Sequence, residues 1–348
     1  MSNALAGSFA IPYMIGALVG RISSGYVSDY ISRRRAMMLG SASFLIGCVM
    51  LCFPFCGNAP CIMLARTLHG FGFACTNTAV TVASVDVAPP NSAAMAMGFN
   101  WTGQALAQAS SGFLIDILLT GTNYLPLFAV TGVISLIALI SGAVCRYHFV
   151  PALPPEGRPS FAGEFSPKRL LERKAVPMSV VSGIYFLGLC FGSFFTVSIA
   201  LSRDINVSAY FTFSAVSMVF SNIALVKLGG RFGTKAVVIP AYAFGALGMI
   251  VMSHTHSPLL FALCGMTYGI SLGTMPLLQN EIVKAVPEES RGKGASTLFV
   301  GQDIAMGVGP FIWGAIIDLI GFEVSGYYSA AIIIVSAALL AFFLRKRR

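Results

Sequence analysis

Charged side chains, chiefly Asp303 and Arg66, stand inside long apolar segments, where an ionisable group is costly and therefore marks a candidate functional site. Asp303 is the only carboxylate well inside an apolar segment of the second half. A carboxylate shielded from water takes up a proton readily, so we predict that Asp303 carries or senses a proton. Arg66 needs a water-filled cavity or a partner. The structural alternatives are that Asp303 pairs with an arginine or caps a helix, and that Arg66 packs against a carbonyl group or helix end.

Uncharged amides recur every four residues in another apolar segment, at Asn100, Gln104 and Gln108. This spacing places them on one face of a helix, and three amides on one face of a membrane helix are not expected to face lipid. We therefore predict that they line a cavity together with Gln302, where they hydrogen-bond a polar or sugar-like solute. Alternatively they hold helices together, contributing about 0.6 kcal/mol each.

A charged cluster joins the first two apolar runs, where residues 25–35 read GYVSDYISRRR. One carboxylate, Asp29, and three guanidinium groups cannot lie in hydrocarbon, so the cluster predicts a tight turn at the membrane surface. Arg33 and Arg34 are placed to reach Asp86 at the end of the third apolar run, which predicts a switchable ion pair. The alternative is that the cluster serves only as a topology signal.

These residues must be positioned by membrane helices. The chain has 348 residues, of which 56% are hydrophobic and 10% charged, against about 25% charged in ordinary soluble domains. A span needs about 20 apolar residues, and such runs predict an all-α membrane protein with eleven spans. The predicted spans are 5–27, 36–55, 61–86, 94–118, 124–145, 178–201, 208–228, 236–253, 258–283, 294–319 and 324–344.

Lysine and arginine residues concentrate in alternate connections and in the C-terminal tail, whereas Arg203 stands alone on the other side. By the positive-inside rule the basic side faces the cytoplasm. We therefore predict a multi-pass protein of the cell inner (plasma) membrane with a cytoplasmic C-terminus. The excess of 22 Lys and Arg over 13 Asp and Glu then needs no nucleic-acid partner.

The sequence offers no cofactor or metal motif. Its eight cysteines fall in apolar segments without a Cys-x-x-Cys or zinc-type spacing, so we interpret them as small buried hydrophobes. Cys48, Cys52 and Cys56 share one helical face, and a soft-metal site is the alternative there. No loop is large enough for a catalytic domain and no nucleotide-binding motif is present, which argues against an enzyme and against ATP-driven transport.

An internal repeat divides the chain. The turn at 228–235 is a weaker copy of the charged cluster, and an offset of 201 places Asp29 on Gly230 and Arg21 on Asn222. The second half has a span, 178–201, before its copy of the turn, and the counterpart of that span would precede residue 1. The repeat unit is therefore six helices, and we predict that the first of twelve is missing here.

The repeat predicts three regions. Residues 1–145 form an N-terminal bundle, 146–177 a cytoplasmic linker, and 178–348 a C-terminal bundle. Within the linker, residues 166–174 read SPKRLLERK and predict a short amphipathic helix on the inner leaflet; a solvated linker is the alternative.

The pattern Gly25-x-x-x-Asp29-x-x-x-Arg33-Arg34, followed by Arg66-Thr-Leu-His-Gly-Phe-Gly, resembles motifs of the major facilitator superfamily. The likeness is closest to its drug:proton antiporter and sugar-efflux branch in bacteria. The resemblance implies two pseudo-symmetric six-helix bundles, of which eleven helices are present. It also implies that Gly25 lets two helices approach, that Asp29 bonds the N-terminus of the helix carrying Asp303 and holds the cytoplasmic side shut, and that Arg66 takes part in proton coupling.

The pattern is not complete, because Tyr30 and Ser32 stand where the family usually has Arg and Gly, and the glycine-proline antiporter motif is lost between residues 103 and 112. We predict a secondary active transporter, a monomer that exports a small organic molecule by alternating access coupled to protons. The alternatives are a proton symporter for a polar or sugar-like solute, and a truncated, transport-inactive membrane protein.

Overall fold

The computed structural model describes residue 8 and residues 10–53, 58–89, 92–118, 123–145 and 171–345. Eleven α-helical elements, numbered here in chain order, make up nearly all of this part. They are α1 Ile11–Tyr26, α2 Arg33–Leu51, α3 Ala59–Asp86, α4 Ala93–Leu118, α5 Leu125–Val144, α6 Val176–Ser202, α7 Ser208–Phe232, α8 Thr234–His254, α9 Pro258–Leu272, α10 Met275–Ala285 and α11 Arg291–Arg345.

Two of these elements do not coincide with single predicted spans. The predicted span 258–283 is interrupted after Leu272, because Pro276 stands in the first turn of α10 and cannot supply the N–H group that a continuing helix needs. Conversely, α11 holds two predicted spans, and these are separated at Gly321, whose φ of 78° interrupts the helical backbone.

Seven helices of the described part are long and apolar enough to cross a membrane, and together they confirm an all-α membrane fold. They are α2, α5, α6, α7, α8, the combined segment Pro258–Ala285, and α11. The exact number of eleven spans stays a prediction. The predicted linker helix at 166–174 lies mostly outside the described residues, and the division into three regions also stays a prediction.

The basic side of the molecule is defined here by the turn Val27–Ile31, the segment 87–89 and the turn Glu288–Ser290. The first of these is a single π-helical turn that continues directly from α1. Ser32 then takes an extended conformation and its hydroxyl accepts a bond from the Arg35 N–H, which starts α2. The charged cluster therefore lies at a fixed corner between two helices, as a surface turn should.

The second half has a well-ordered polar interior as well as an apolar core. Tyr185 of α6 stacks on Tyr242 of α8 with ring centroids 3.9 Å apart. The Trp313 indole N–H of α11 donates to the Leu187 carbonyl at 2.7 Å, and the Ser336 hydroxyl donates to the Val181 carbonyl at 2.7 Å. These bonds fix α6 against both parts of α11.

Candidate functional site

The Asp29 carboxylate is buried at the N-terminus of α11, with 3% of its surface exposed. The backbone N–H groups of Gly292 and Lys293 donate to its two oxygens, each at 3.0 Å. The first N–H groups of a helix have no partner within the helix and carry partial positive charge, so they bind an anion well. Asp29 thus fastens the turn after α1 to the start of α11, and we call this contact the latch.

Glycine is required on one side of the latch only. A methyl group at Gly292 would lie 2.3 Å from the Asp29 Oδ1 atom, which is far inside contact distance. A methyl group at Gly25 would instead meet the Ser296 Cβ atom at 3.6 Å, an ordinary van der Waals contact. An alanine at position 25 would therefore fit in this conformation, whereas Gly292 has no room for one. The expectation that Gly25 permits the close approach of the helices stays a prediction.

Arg33 connects the latch to α3. Its guanidinium donates to Asp29 at 3.0 Å, to Asp86 at 3.1 Å and to the Ser28 carbonyl. Burial raises the pKa of Asp29 to about 6, while Arg33 and the two backbone N–H groups oppose this shift. Arg34 donates to the carbonyls of residues 142 and 143 and so fastens α2 to the end of α5, whereas the ion pair with Asp86 belongs to Arg33.

A buried ion pair joins the two halves deeper in the bundle. Arg21 of α1 donates to both carboxylate oxygens of Asp303 in α11, at 2.7 and 3.2 Å, and their exposed fractions are 1% and 6%. Arg21 also donates to the Ala74 carbonyl at 3.2 Å and to the Thr78 hydroxyl at 3.0 Å. Removing one partner of such a pair costs about 3–5 kcal/mol, because the other charge is left buried and unpaired.

The same two helices pack antiparallel between these contacts. The Ser296 hydroxyl of α11 donates to the Arg21 carbonyl at 2.7 Å, and further along Gly307 lies against the Met14 side chain. We call this contact, from Asp29 to Met14, the α1–α11 seam. It closes the basic side between one helix of the first half and one helix of the second.

A cavity of about 420 Å³ lies beside the ion pair, between the two halves. This volume is in the range of pockets that hold drug-sized molecules. Arg21, Asp303 and the predicted amides Gln104, Gln108 and Gln302 all lie in its wall. Aromatic side chains make up much of the remaining wall, among them Tyr13, Phe73, Trp101, Phe186, Tyr268 and Phe299.

Among the predicted residues, Gln302 also makes a bond within the bundle, while Asn100 and Arg66 lie outside the wall of the central cavity. Gln302 has a structural bond as well, since its amide donates to the Ser182 hydroxyl at 2.8 Å. Asn100 donates to the Thr81 hydroxyl at 3.3 Å and lines a separate groove. Arg66 is half-buried, with its guanidinium carbon 5.1 Å from the centroid of the Tyr13 ring. Arg66 is therefore linked to the cavity through an aromatic wall residue.

That groove, of about 560 Å³, runs between α2, α3, α4 and α5. Gln104, Asn77 and Phe73 line both the groove and the central cavity, so the two spaces share part of their walls. On the groove side the first half has no element equivalent to α6 among the described residues.

Sequence reasoning missed two features of the site. Arg21 was not assigned to Asp303, because pairing across 282 positions leaves no local signal; the available sign was the position of this arginine inside an apolar run of the sequence. Cys61, at the start of α3, is disulfide-bonded, which corrects the interpretation of all eight cysteines as buried hydrophobes. The described residues hold no cluster of three or more metal-ligating side chains.

Comparison with known proteins gives a consistent family. The model of the Major Facilitator Superfamily matches residues 1–296 and 200–348. Multidrug resistance protein MdtG of Escherichia coli is 23% identical over 98% of this chain and 84% of its own length. Sugar transporter ERD6-like 6 of Arabidopsis thaliana is 29% identical, but the match covers 40% of this chain and only 26% of that protein.

Among solved structures, the human organic anion transporter MFSD10 (TETRAN) superposes with a TM-score of 0.79. The superposition covers 96% of this chain and 83% of that one, at 16% sequence identity. At this identity the likeness concerns the fold alone.

Proposed function

The chain belongs to the major facilitator superfamily, and on that premise we propose that it exports a small organic molecule in exchange for protons by alternating access. Members of this family are membrane transporters and not enzymes, and they usually work as monomers on small-molecule substrates. The coarse role follows from membership. The substrate, the direction and the coupling to protons are our proposal, and they rest on the site.

The ion pair between Arg21 and Asp303 is the observation that carries this proposal. It joins the two halves at the wall of the central cavity. A proton on Asp303 would neutralise the carboxylate and leave the Arg21 charge without its counterion, which weakens the α1–α11 seam. Proton uptake at this position would thereby promote separation of the halves on the basic side.

Replacing Asp303 by asparagine tests the coupling. In proteoliposomes we expect Asp303→Asn to transport without response to an imposed pH gradient, because the carboxylate proposed to carry the proton is gone. Asp318→Asn is the matched control, since Asp318 is an exposed carboxylate on the same helix and should leave the response intact. A gradient response in Asp303→Asn equal to that of the parent would exclude Asp303 as the coupling group.

Export is favoured over uptake by the extent of similarity. MdtG, whose name indicates multidrug resistance, matches nearly the whole chain, whereas the sugar transporter matches less than half of it. Symport of a sugar-like solute is the second candidate, supported by the amides Gln104, Gln108 and Gln302 in the cavity wall. Measuring the direction of flux in inverted membrane vesicles separates the two.

We propose that the basic side, and with it the C-terminus, faces the cytoplasm across a bacterial inner membrane. The positive-inside rule supports this orientation. Cys61 supports it independently: it lies at the end of α3 opposite Asp86, about 38 Å along the helix axis, and disulfides persist in oxidising compartments outside the cytoplasm. A membrane-impermeant thiol reagent applied after reduction should label Cys61 from outside the cell, and labelling only from the inside would reverse the orientation.

The cytoplasmic latch is the proposed gate. We propose that Asp29 keeps the basic side closed through its bonds to α11. Arg33, itself paired with Asp86, braces Asp29 within the first half, and Arg34 fastens α2 to the end of α5. Opening towards the cytoplasm must break the bonds between Asp29 and α11. The proposed role of Gly25 is to let the helices approach, and in this conformation a methyl group there would make only ordinary contact.

We further propose that the groove beside α4 is occupied by another membrane helix of the same polypeptide. In the second half, α6 is held by Tyr242, which stacks on it, and by Gly301 and Ser336, which hydrogen-bond to it. The positions 201 residues earlier are occupied by Ser41, Asn100 and Ser135, and all three line the groove. The groove therefore has the place in the first half that α6 fills in the second.

This proposal bears on activity, because Gln104 and Asn77 lie in both the groove and the cavity. Without a helix in the groove we expect no transport, which is the alternative of an inactive protein. Reading the genomic frame upstream of Met1 tests it: an in-frame apolar stretch of about 20 residues supports the proposal. A stop codon close upstream would contradict it and favour the inactive protein.

A further inference from the structure

The two halves also meet along a second line, where α4 of the first half packs against α7 and α10 of the second. We call this contact the α4–α7 seam. The backbones are close, since a methyl group at Gly98 would lie 2.7 Å from the Asn222 carbonyl oxygen. Gln279 of α10 lines a small enclosed space in the same region, together with Met97 of α4 and Thr81 of α3.

Two amide side chains in this seam are buried without partners. Asn222 is 0% exposed and Gln279 is 3% exposed. Neither the oxygen nor the nitrogen of either amide has a hydrogen-bond partner. In the described part of the chain, no other buried side chain leaves both of its amide atoms unpaired. The repeat sharpens the contrast, because Asn222 stands 201 residues after Arg21, whose guanidinium donates to Asp303 across the α1–α11 seam and to Ala74 and Thr78 within the first half.

Unpaired polar atoms destabilise the state that buries them, because water would satisfy them if it reached them. Separation of the halves on the basic side would admit water to both amides. We infer that Asn222 and Gln279 weaken the closed α4–α7 seam and so shift the equilibrium towards the state that is open on the basic side. This inference rests on the proposed alternating access. It assigns to two residues an influence on the equilibrium between the closed and the open state.

The test measures the populations of the two states directly. Spin labels at Val87 and Lys284, both exposed and on opposite halves of the basic side, report the separation in membranes. In Asn222→Leu and Gln279→Met the unpaired amide is replaced by an apolar group of similar size. We expect each change to lower the ratio of open to closed molecules about tenfold, the effect of relieving one unpaired polar group.

The outcomes are decisive in each direction. An unchanged or increased open fraction in both variants would overturn the inference, because it would mean that the amides are stabilised as well in the closed state as in the open one. We expect the thermal midpoint of unfolding of each amide variant to equal or exceed that of the parent. A clearly lower midpoint would show that the amide stabilises the closed state through a partner, which would also contradict the inference.

Ser214→Ala is the matched control. The Ser214 hydroxyl is also buried and unpaired, but it lies between α7 and α9 inside the second half, away from the seam. We expect it to leave the open fraction unchanged, and an effect as large as that of Asn222→Leu would assign the shift to general stability instead. If Gly292→Ala opens the basic side while the amide variants do nothing, only this inference fails. If no variant changes the separation, the proposed alternating access fails as well.

Discussion

The latch between Asp29 and α11 gives the sharpest prediction. In Gly292→Ala the added methyl carbon would lie 2.3, 2.7 and 2.9 Å from Oδ1, Cγ and Oδ2 of Asp29. No carbon atom tolerates these distances, so either Asp29 leaves or the start of α11 retreats by about 1 Å. Both responses break the two bonds from the backbone N–H groups to the carboxylate, whereas alanine itself suits this helical position.

The size of the effect follows from the bonds lost. Hydrogen bonds to a charged group contribute about 1.5–3 kcal/mol each. Loss of one bond alone would raise the ratio of open to closed molecules at least about tenfold. Loss of both bonds would raise it further, by a factor of up to about 10⁴ if the contributions add. The change acts on the closed state only, because in the open state the residue faces no neighbour across the seam.

Spin labels at Val87 and Lys284 provide the assay, with Gly25→Ala as the control. Gly25 lies in the same seam, but a methyl group there makes an ordinary contact at 3.6 Å and should leave the distances unchanged. Two results would refute the reasoning: a closed population in Gly292→Ala equal to that of the parent, or an equal opening in both variants.

Three further predictions concern the charges and the core. Because burial raises the pKa of Asp29 to about 6, its closed form holds a proton that an exposed aspartate, with a pKa near 3.9, would release. Asp29 alone therefore favours closure as the pH falls from about 6 to 4, opposite in sign to the opening proposed for a proton on Asp303. In an Asp303→Asn background, Asp29→Ala should abolish this closing response of the spin-label distances. Arg21→Gln leaves Asp303 without its partner and should cost about 3–5 kcal/mol of stability, part of which Arg21→Gln with Asp303→Asn should recover in chemical unfolding. Trp313→Phe removes the 2.7 Å bond to α6 and should lower the free energy of unfolding by about 1 kcal/mol without changing the direction of transport.

The sequence carried enough information for the fold and for the turn at Asp29. Long apolar runs and clustered arginines are local signals, and their physical causes act within a single helix or turn. The contact of Asp29 with α11 followed from a family resemblance. The steric need for glycine at 292 did not, because it depends on the distance between two backbones that are 263 residues apart in the chain.

The cavity was harder to derive for the same reason. The four-residue spacing places Asn100, Gln104 and Gln108 on one side of the helix, but each four-residue step turns the side chain by about 40° around the helix axis, which is enough to point neighbouring amides into different spaces. Gln104 and Gln108 line the cavity, while Asn100 lines the groove. The partner of Asp303 lies in the other half of the chain, and no periodicity within one helix identifies it.

The two seams differ in a way that matters for a transporter, which needs two states of similar free energy. The α1–α11 seam is bonded through Asp29 at its basic end and through Arg21 with Asp303 deeper in the bundle. The α4–α7 seam buries the unpaired amides of Asn222 and Gln279. A closed state that is strengthened at one seam and weakened at the other lies close in free energy to the open state. The balance is sensitive, since each 1.4 kcal/mol changes the ratio of the two states about tenfold. In the proposed mechanism, a single event in the bonded seam, such as a proton on Asp303, would then be sufficient to open the basic side.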